Sequence, residues 1–163
     1  MISEVYRKGR DAKEASYVLQ TAGTDVKNKA LAYIADALMA HSDAILSANA
    51  EDLKRAKEKG MAPAMVDRLT LTKERISAMA EGVRQVIDLR DPSGIVLDEF
   101  TRPNGLAIKK VSVPLGVIAI IFESRPNVTV DAAALCIKAG NACVLRGGSE
   151  AIASNTALTR SEE

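Results

Sequence analysis

Apolar and polar positions change their period partway along this chain. Up to about Leu89 the apolar residues recur every three or four positions, the spacing of one helix face, with no convincing strand alternation between them. That spacing predicts a helical layer of three or four helices. Thr24-Asp25 is the expected cap of one, with Ala30, Leu31, Ile34 and Leu38 as its inward stripe. Ser42 is the expected N-cap of the next, over residues 43–59. There Ile45, Leu46 and Leu53 face inward, Lys54, Arg55, Lys57 and Lys59 complement the carboxyl-end dipole, and Gly60 stops the helix. Thr72 starts another along Ile76, Met79, Ala80, Val83 and Ile87, which Asp91-Pro92-Ser93-Gly94 ends. His41 follows a helical stripe, and a C-terminal cap is its expected role.

From Ile95 the period becomes two, with β-branched residues on both sides of Arg102-Pro103-Asn104-Gly105. Asn-Gly takes left-handed conformations readily and Pro103 blocks a helix, so 95–101 is expected to pair with 106–113 as a hairpin closed by Pro114. A continuous apolar strand, 116–122, follows. Next come a polar loop, an alanine-rich helix to Gly140 and a second apolar strand, 142–146. Unalternating apolar strands are expected to be covered on both faces, and a strand, helix, strand order gives a right-handed parallel unit. Ala151 to Leu158 begins another helix, which Arg160-Ser161-Glu162-Glu163 is expected to stop without a cap. The expected class is α/β: an amino-terminal helical layer (1–94), a hairpin arm (95–114) and the first βαβ unit of a Rossmann-like parallel sheet (115–163), which is left unfinished.

Charge narrows the partners. Lys and Arg total 22 against 21 Asp and Glu, a net charge of +1 with the signs interspersed, so no nucleic-acid partner is expected. The longest apolar run, 117–122, is far too short for a bilayer, and the first ten residues lack the apolar core of a secretory signal. Cys136 and Cys143 have no companion His or second Cys pair, so neither a disulfide framework nor a metal site is expected and both read as packing residues. A reducing, cytoplasmic setting fits them.

Ligands of parallel sheets bind beyond the carboxyl ends of the strands, which singles out two loops. Arg146-Gly147-Gly148-Ser149-Glu150 joins a strand to a helix, where free N–H groups and the positive helix end favour a phosphate and Arg146 adds a planar cationic fork. It lacks both the Lys-Ser/Thr ending of a P-loop and the three-glycine dinucleotide spacing. The same residues also fit a plain turn, in which the glycines relieve crowding and Ser149 is an N-cap. In Glu123-Ser124-Arg125-Pro126-Asn127, Asn127 can donate to an oxyanion, Arg125 can bind an anion and Pro126 stiffens the loop. The alternative is a capped turn with Arg125 paired to Glu123 or Asp131.

Taken together, Val113-Pro114-Leu115-Gly116-Val117-Ile118, Glu123-Ser124-Arg125-Pro126-Asn127-Val128-Thr129, Lys138-Ala139-Gly140-Asn141-Ala142 and Leu145-Arg146-Gly147-Gly148-Ser149-Glu150 resemble the γ-glutamyl phosphate reductases, a branch of the aldehyde dehydrogenase superfamily. The likeness takes in Ala48-Asn49-Ala50-Glu51-Asp52, Asp67-Arg68-Leu69 and Asp91-Pro92 through Asn104-Gly105-Leu106, so nearly the whole chain resembles the amino-terminal portion of that family. The resemblance implies NADPH and γ-glutamyl phosphate, reduced to glutamate-5-semialdehyde in proline biosynthesis through a cysteine thioester. It implies that Arg146 meets the 2′-phosphate of NADP, that Ser149 and Glu150 border the ribose with Gly147 and Gly148 in the same cofactor-binding segment, and that Glu123, Ser124, Arg125 and Pro126 lie beside the nicotinamide. Either Arg125 or Asn127 falls on the oxyanion donor, and Asn127 is favoured because an amide donates without adding charge. The hairpin resembles the arm through which such enzymes form homo-oligomers. Neither Cys136 nor Cys143 matches the family's nucleophile, so this chain alone is expected to be inactive. The other expectation is a stand-alone phosphate-binding interaction module.

Overall fold

The computed structural model describes residues 3–162; Met1, Ile2 and Glu163, which belong to the expected termini, lie outside the described residues. Five helices come first: α1 (Glu4–Leu19), α2 (Thr24–Ala40), α3 (Ser42–Glu58), α4 (Pro63–Leu69) and α5 (Lys73–Asp88). The apolar stripes do what their spacing demands. Leu31, Ile34 and Leu38 of α2 meet Ile76, Met79, Ala80 and Val83 of α5 and Ile45 of α3 in one buried cluster.

The helix ends differ in part from the expected ones. Thr72 caps α5 by accepting the Arg75 N–H at 3.2 Å. Gly23, not Thr24, is the N-cap of α2, and no side chain caps that end. The Thr24 hydroxyl is engaged elsewhere, donating to Asp91 Oδ2 at 2.7 Å. His41 closes α2, its N–H donating to Ala37 O, and its own carbonyl accepts from Ile45 to open α3. One residue between the helices leaves Ser42 no room to be a cap, and it is instead the first residue of α3.

Strands β1 (Val96–Thr101) and β2 (Ala107–Val111) form the antiparallel hairpin, with Phe100 opposite Ile108. Only Gly105 of the turn has positive φ, at 84°. Asn104 contributes through its side chain, accepting the Leu106 N–H, rather than through a left-handed backbone. All six residues of β1 are exposed.

Strand β3 (Val117–Ile121), helix α6 (Asn127–Lys138) and strand β4 (Ala142–Arg146) form the parallel unit, in register from Val117 opposite Ala142 to Ile121 opposite Arg146. The expected covering of both faces is not found. Ala119 and Ile121, two apart and so on one face of the pleat, are exposed, Ile121 by 76%. Among the described residues α1 and α6 are the helices that pack against these strands, and they leave that face open. A short 3-10 turn, Ser149–Ala151, leads into α7 (Ile152–Glu162), which runs through the expected stop at Arg160-Ser161-Glu162. Gly148 takes the N-cap position of the turn, so Ser149 lies within it rather than capping it.

Candidate functional site

Parallel pairing sends the carboxyl ends of β3 and β4 to one edge, and the two loops meet there. The Phe122 N–H donates to Arg146 O at 3.0 Å. Beyond it the Ser124 hydroxyl, only 6% exposed, donates to Glu150 Oε2 at 3.1 Å. The Glu150 carboxyl lies below its ordinary value, first because it accepts its own backbone N–H and then because it accepts from Ser124. Farther in, the Thr129 hydroxyl of α6 donates to Asn155 Oδ1 of α7 at 3.1 Å.

Side chains crowd both glycines. A Cβ on Gly147 would stand 2.2 Å from Asn155 Nδ2 and 3.1 Å from the Phe122 ring, and one on Gly148 would stand 2.7 Å from Glu150 Oε2 and 3.0 Å from Ser124 Oγ. At the same time the N–H groups of Gly147, Gly148 and Ser149 have no acceptor among the described residues. Two anion-directed features therefore remain, those N–H groups and the exposed Arg146, which forms no ion pair among the described residues.

The start of α7 is not free to hold an anion, contrary to expectation. Asp52, fully buried on α3, accepts the N–H groups of Ala153 at 3.2 Å and Ser154 at 2.7 Å and the Ser154 hydroxyl at 2.6 Å. Its carboxylate also pairs with Arg55. The chain's own anion fills the position that helix N-termini offer to phosphates. Asn49 reinforces the joint, donating to Ser154 Oγ and Leu69 O while accepting from Leu71 N–H. Sequence reading had no role for Asn155 or Ser154, because short polar residues in an unremarkable helix carry no pattern.

On the other loop, Pro126 is buried while Glu123, Arg125 and Asn127 are exposed. The turn is closed by the Arg125 N–H on Glu123 O at 2.9 Å, and the Arg125 guanidinium pairs with neither Glu123 nor Asp131. Asp131 instead accepts from Asn127 Nδ2 at 3.1 Å, which uses one of the two amide hydrogens and leaves the other for a ligand. Cys136 is buried, and burial pushes its thiol pKa up against an opposing hydrogen bond with Cys143, so it is no activated nucleophile. Neither cysteine is in a disulfide. Among the described residues no group of His, Cys, Asp and Glu could hold a metal ion. None of their helices is long and apolar enough to cross a membrane.

No family model matches the sequence. Solved structures do. A probable aldehyde dehydrogenase from Listeria monocytogenes superposes with a TM-score of 0.69 at 16% identity, covering 98% of this chain and 33% of that one. The βαβ unit, the hairpin and the helices before them are thus the aldehyde dehydrogenase fold. A γ-glutamyl phosphate reductase from Thermotoga maritima superposes with a TM-score of 0.97 at 44% identity, over 98% of this chain and 39% of that one. The Moorella thermoacetica protein named γ-glutamyl phosphate reductase is 57% identical over 157 residues, 96% of this chain. Beyond the shared fold, the chain is similar over nearly its whole length to the amino-terminal portion of proteins named γ-glutamyl phosphate reductase. It spans 38% of the length of that Moorella relative.

Proposed function

We propose that these residues supply the helical layer, the oligomerisation arm and half of the cofactor site of an NADPH-dependent γ-glutamyl phosphate reductase. The observation that carries the reading is the joining of the two loops at the strand ends, in a chain 57% identical to a protein so named. The reaction converts γ-glutamyl phosphate to glutamate-5-semialdehyde and phosphate in the cytoplasm, through a thioester on a cysteine outside these residues. NADPH, when bound, supplies the hydride. The unsatisfied N–H groups of Gly147, Gly148 and Ser149 suit a phosphate-bearing nucleotide. Arg146 grips its 2′-phosphate, Ser149 and Glu150 border the ribose, and Glu123 to Pro126 line the nicotinamide side. The second Asn127 amide hydrogen donates to the oxyanion as the acyl group is attacked. Residues 95–114 pair with another subunit of the same protein, which covers the exposed β1. The 163 residues by themselves are inactive, since the thiolate is not among them.

The test is the reverse reaction of the whole protein that carries this chain. Reduction of NADP by glutamate-5-semialdehyde should require phosphate, and activity indifferent to phosphate refutes the reading. Arg146→Ala should then raise the KM for NADP far more than that for NAD. Equal losses for both remove the 2′-phosphate role.

A further inference from the structure

Asn155 occupies an unusual place between the two loops. Its Oδ1 accepts the hydroxyl of Thr129, a residue 2% exposed and two positions beyond Asn127 in the first turn of α6. Its Nδ2 lies where a Gly147 side chain would begin, 2.2 Å from an ideal Cβ there, and Gly147 directly follows Arg146. One side chain therefore reaches from the helix that carries Asn127 to the backbone that carries Arg146. Ser124 and Glu150 make a second tie across the same gap. The start of α7 cannot yield to relieve a displacement of Asn155, because Asp52 holds the N–H groups of Ala153 and Ser154.

We propose that Asn155, held by Thr129, is a positioning residue that sets the height of the Gly147-Gly148 backbone and so fixes the nucleotide loop relative to the Asn127 loop. The idea rests on reading 146–150 as the nucleotide site. The buried Thr129 hydroxyl has no other acceptor among the described residues, so losing Asn155 leaves an unsatisfied donor and an open space beneath Gly147 at once. The loop then sinks or samples several heights, and the N–H groups of Gly147, Gly148 and Ser149 lose their fixed arrangement. Thr129 and Asn155 act as one unit, so their effects on nucleotide binding do not add.

The experiment measures NADP KM and kcat in the whole protein for Asn155→Ala, Thr129→Val, the double variant and Thr129→Ser. Asn155→Ala and Thr129→Val should each raise the KM for NADP about tenfold, the weight of one hydrogen bond, while kcat at saturation changes less. The double variant should be no worse than the worse single one, and Thr129→Ser, which keeps the hydroxyl, should restore the wild-type KM. Lowered thermal stability with an unchanged KM in both single variants overturns the proposal and leaves the pair a purely structural contact. Should Asn155→Ala fail to fold, the near-isosteric Thr129→Val carries the test by the same two readings. Wild-type protein that binds no NADP would overturn the nucleotide-site reading itself, which distinguishes that failure from this one.

Discussion

Asp52 shows what a single residue can decide in this fold. It is fully buried and serves two helix N–H groups, the Ser154 hydroxyl and the Arg55 guanidinium together. Replacing it with alanine leaves buried donors without acceptors at the end of α7 that follows the Gly147-Gly148 loop. Asp52→Ala is expected to cost about 3 kcal/mol, read as a lower urea midpoint with an unchanged slope. A midpoint within experimental error of the parent would show that the helix end finds another partner. Nothing in the local sequence marks this role. Asp52 sits among Glu51, Lys54 and Arg55, a composition like that of a solvated helix face, and its acceptors' partners lie 101 and 102 residues away. The residues that were legible obey a local rule: Leu31, Ile34 and Leu38 by helical spacing, Thr72 by its capping position, Gly105 by its turn.

At the scale of elements, the root of the hairpin is fastened to α2 through Asp91. Lys27, 2% exposed, pairs with Asp91 Oδ2 at 2.6 Å, and the Thr24 hydroxyl donates to the same oxygen while the Ser93 N–H donates to the other. Lys27 stands one helical turn before Leu31 on the inward stripe, so helix geometry carries it inside. A count of apolar positions passes over it. Likewise α1 has a buried Ser16 where a stripe would show a leucine, which is why its sequence predicts no particular span. Burial of Asp91 acts to raise its pKa, but the hydrogen bonds from Lys27, Ser93 and Thr24 and the charge of Lys27 outweigh this and hold it below the ordinary carboxylate value. A folded-state pKa below the unfolded one gives stability that is complete above the unfolded value, about 3.9, and is lost as pH falls through the lower folded value. Asp91→Asn is therefore expected to cost about 3 kcal/mol at neutral pH, by leaving the Lys27 ammonium buried beside a neutral amide. It should also flatten the fall in stability below about pH 4, measured as urea midpoints across that range. The same steep acid limb in both proteins would mean that another carboxylate governs it.

At the scale of the molecule, the apolar surface left open tells where other structure belongs. Ile121 of β3 is patterned for a strand with two covered faces, and Phe100 and Ile108 face each other across the hairpin. Sequence periodicity specified these faces correctly as apolar but could not supply what covers them, because a strand's pattern records that a neighbour exists and not which chain it comes from. The two surfaces call for different neighbours. The parallel strands have their ladder and one face engaged within this chain, so their open face suits further helices of the same fold. The hairpin has only its two strands, which are rarely stable without a partner sheet, so the proposed second copy is the cover to test first. Placing a charge at the Phe100 position separates the two cases. In the whole protein, Phe100→Glu should lower the mass found by light scattering toward that of a single subunit as the protein is diluted, because a buried carboxylate opposes the pairing. Far-UV circular dichroism should stay near the parent's, since β1 is exposed along all six residues and contributes nothing to the helical core. An unchanged mass on dilution would place the subunit contact elsewhere and leave the hairpin to another part of the same chain.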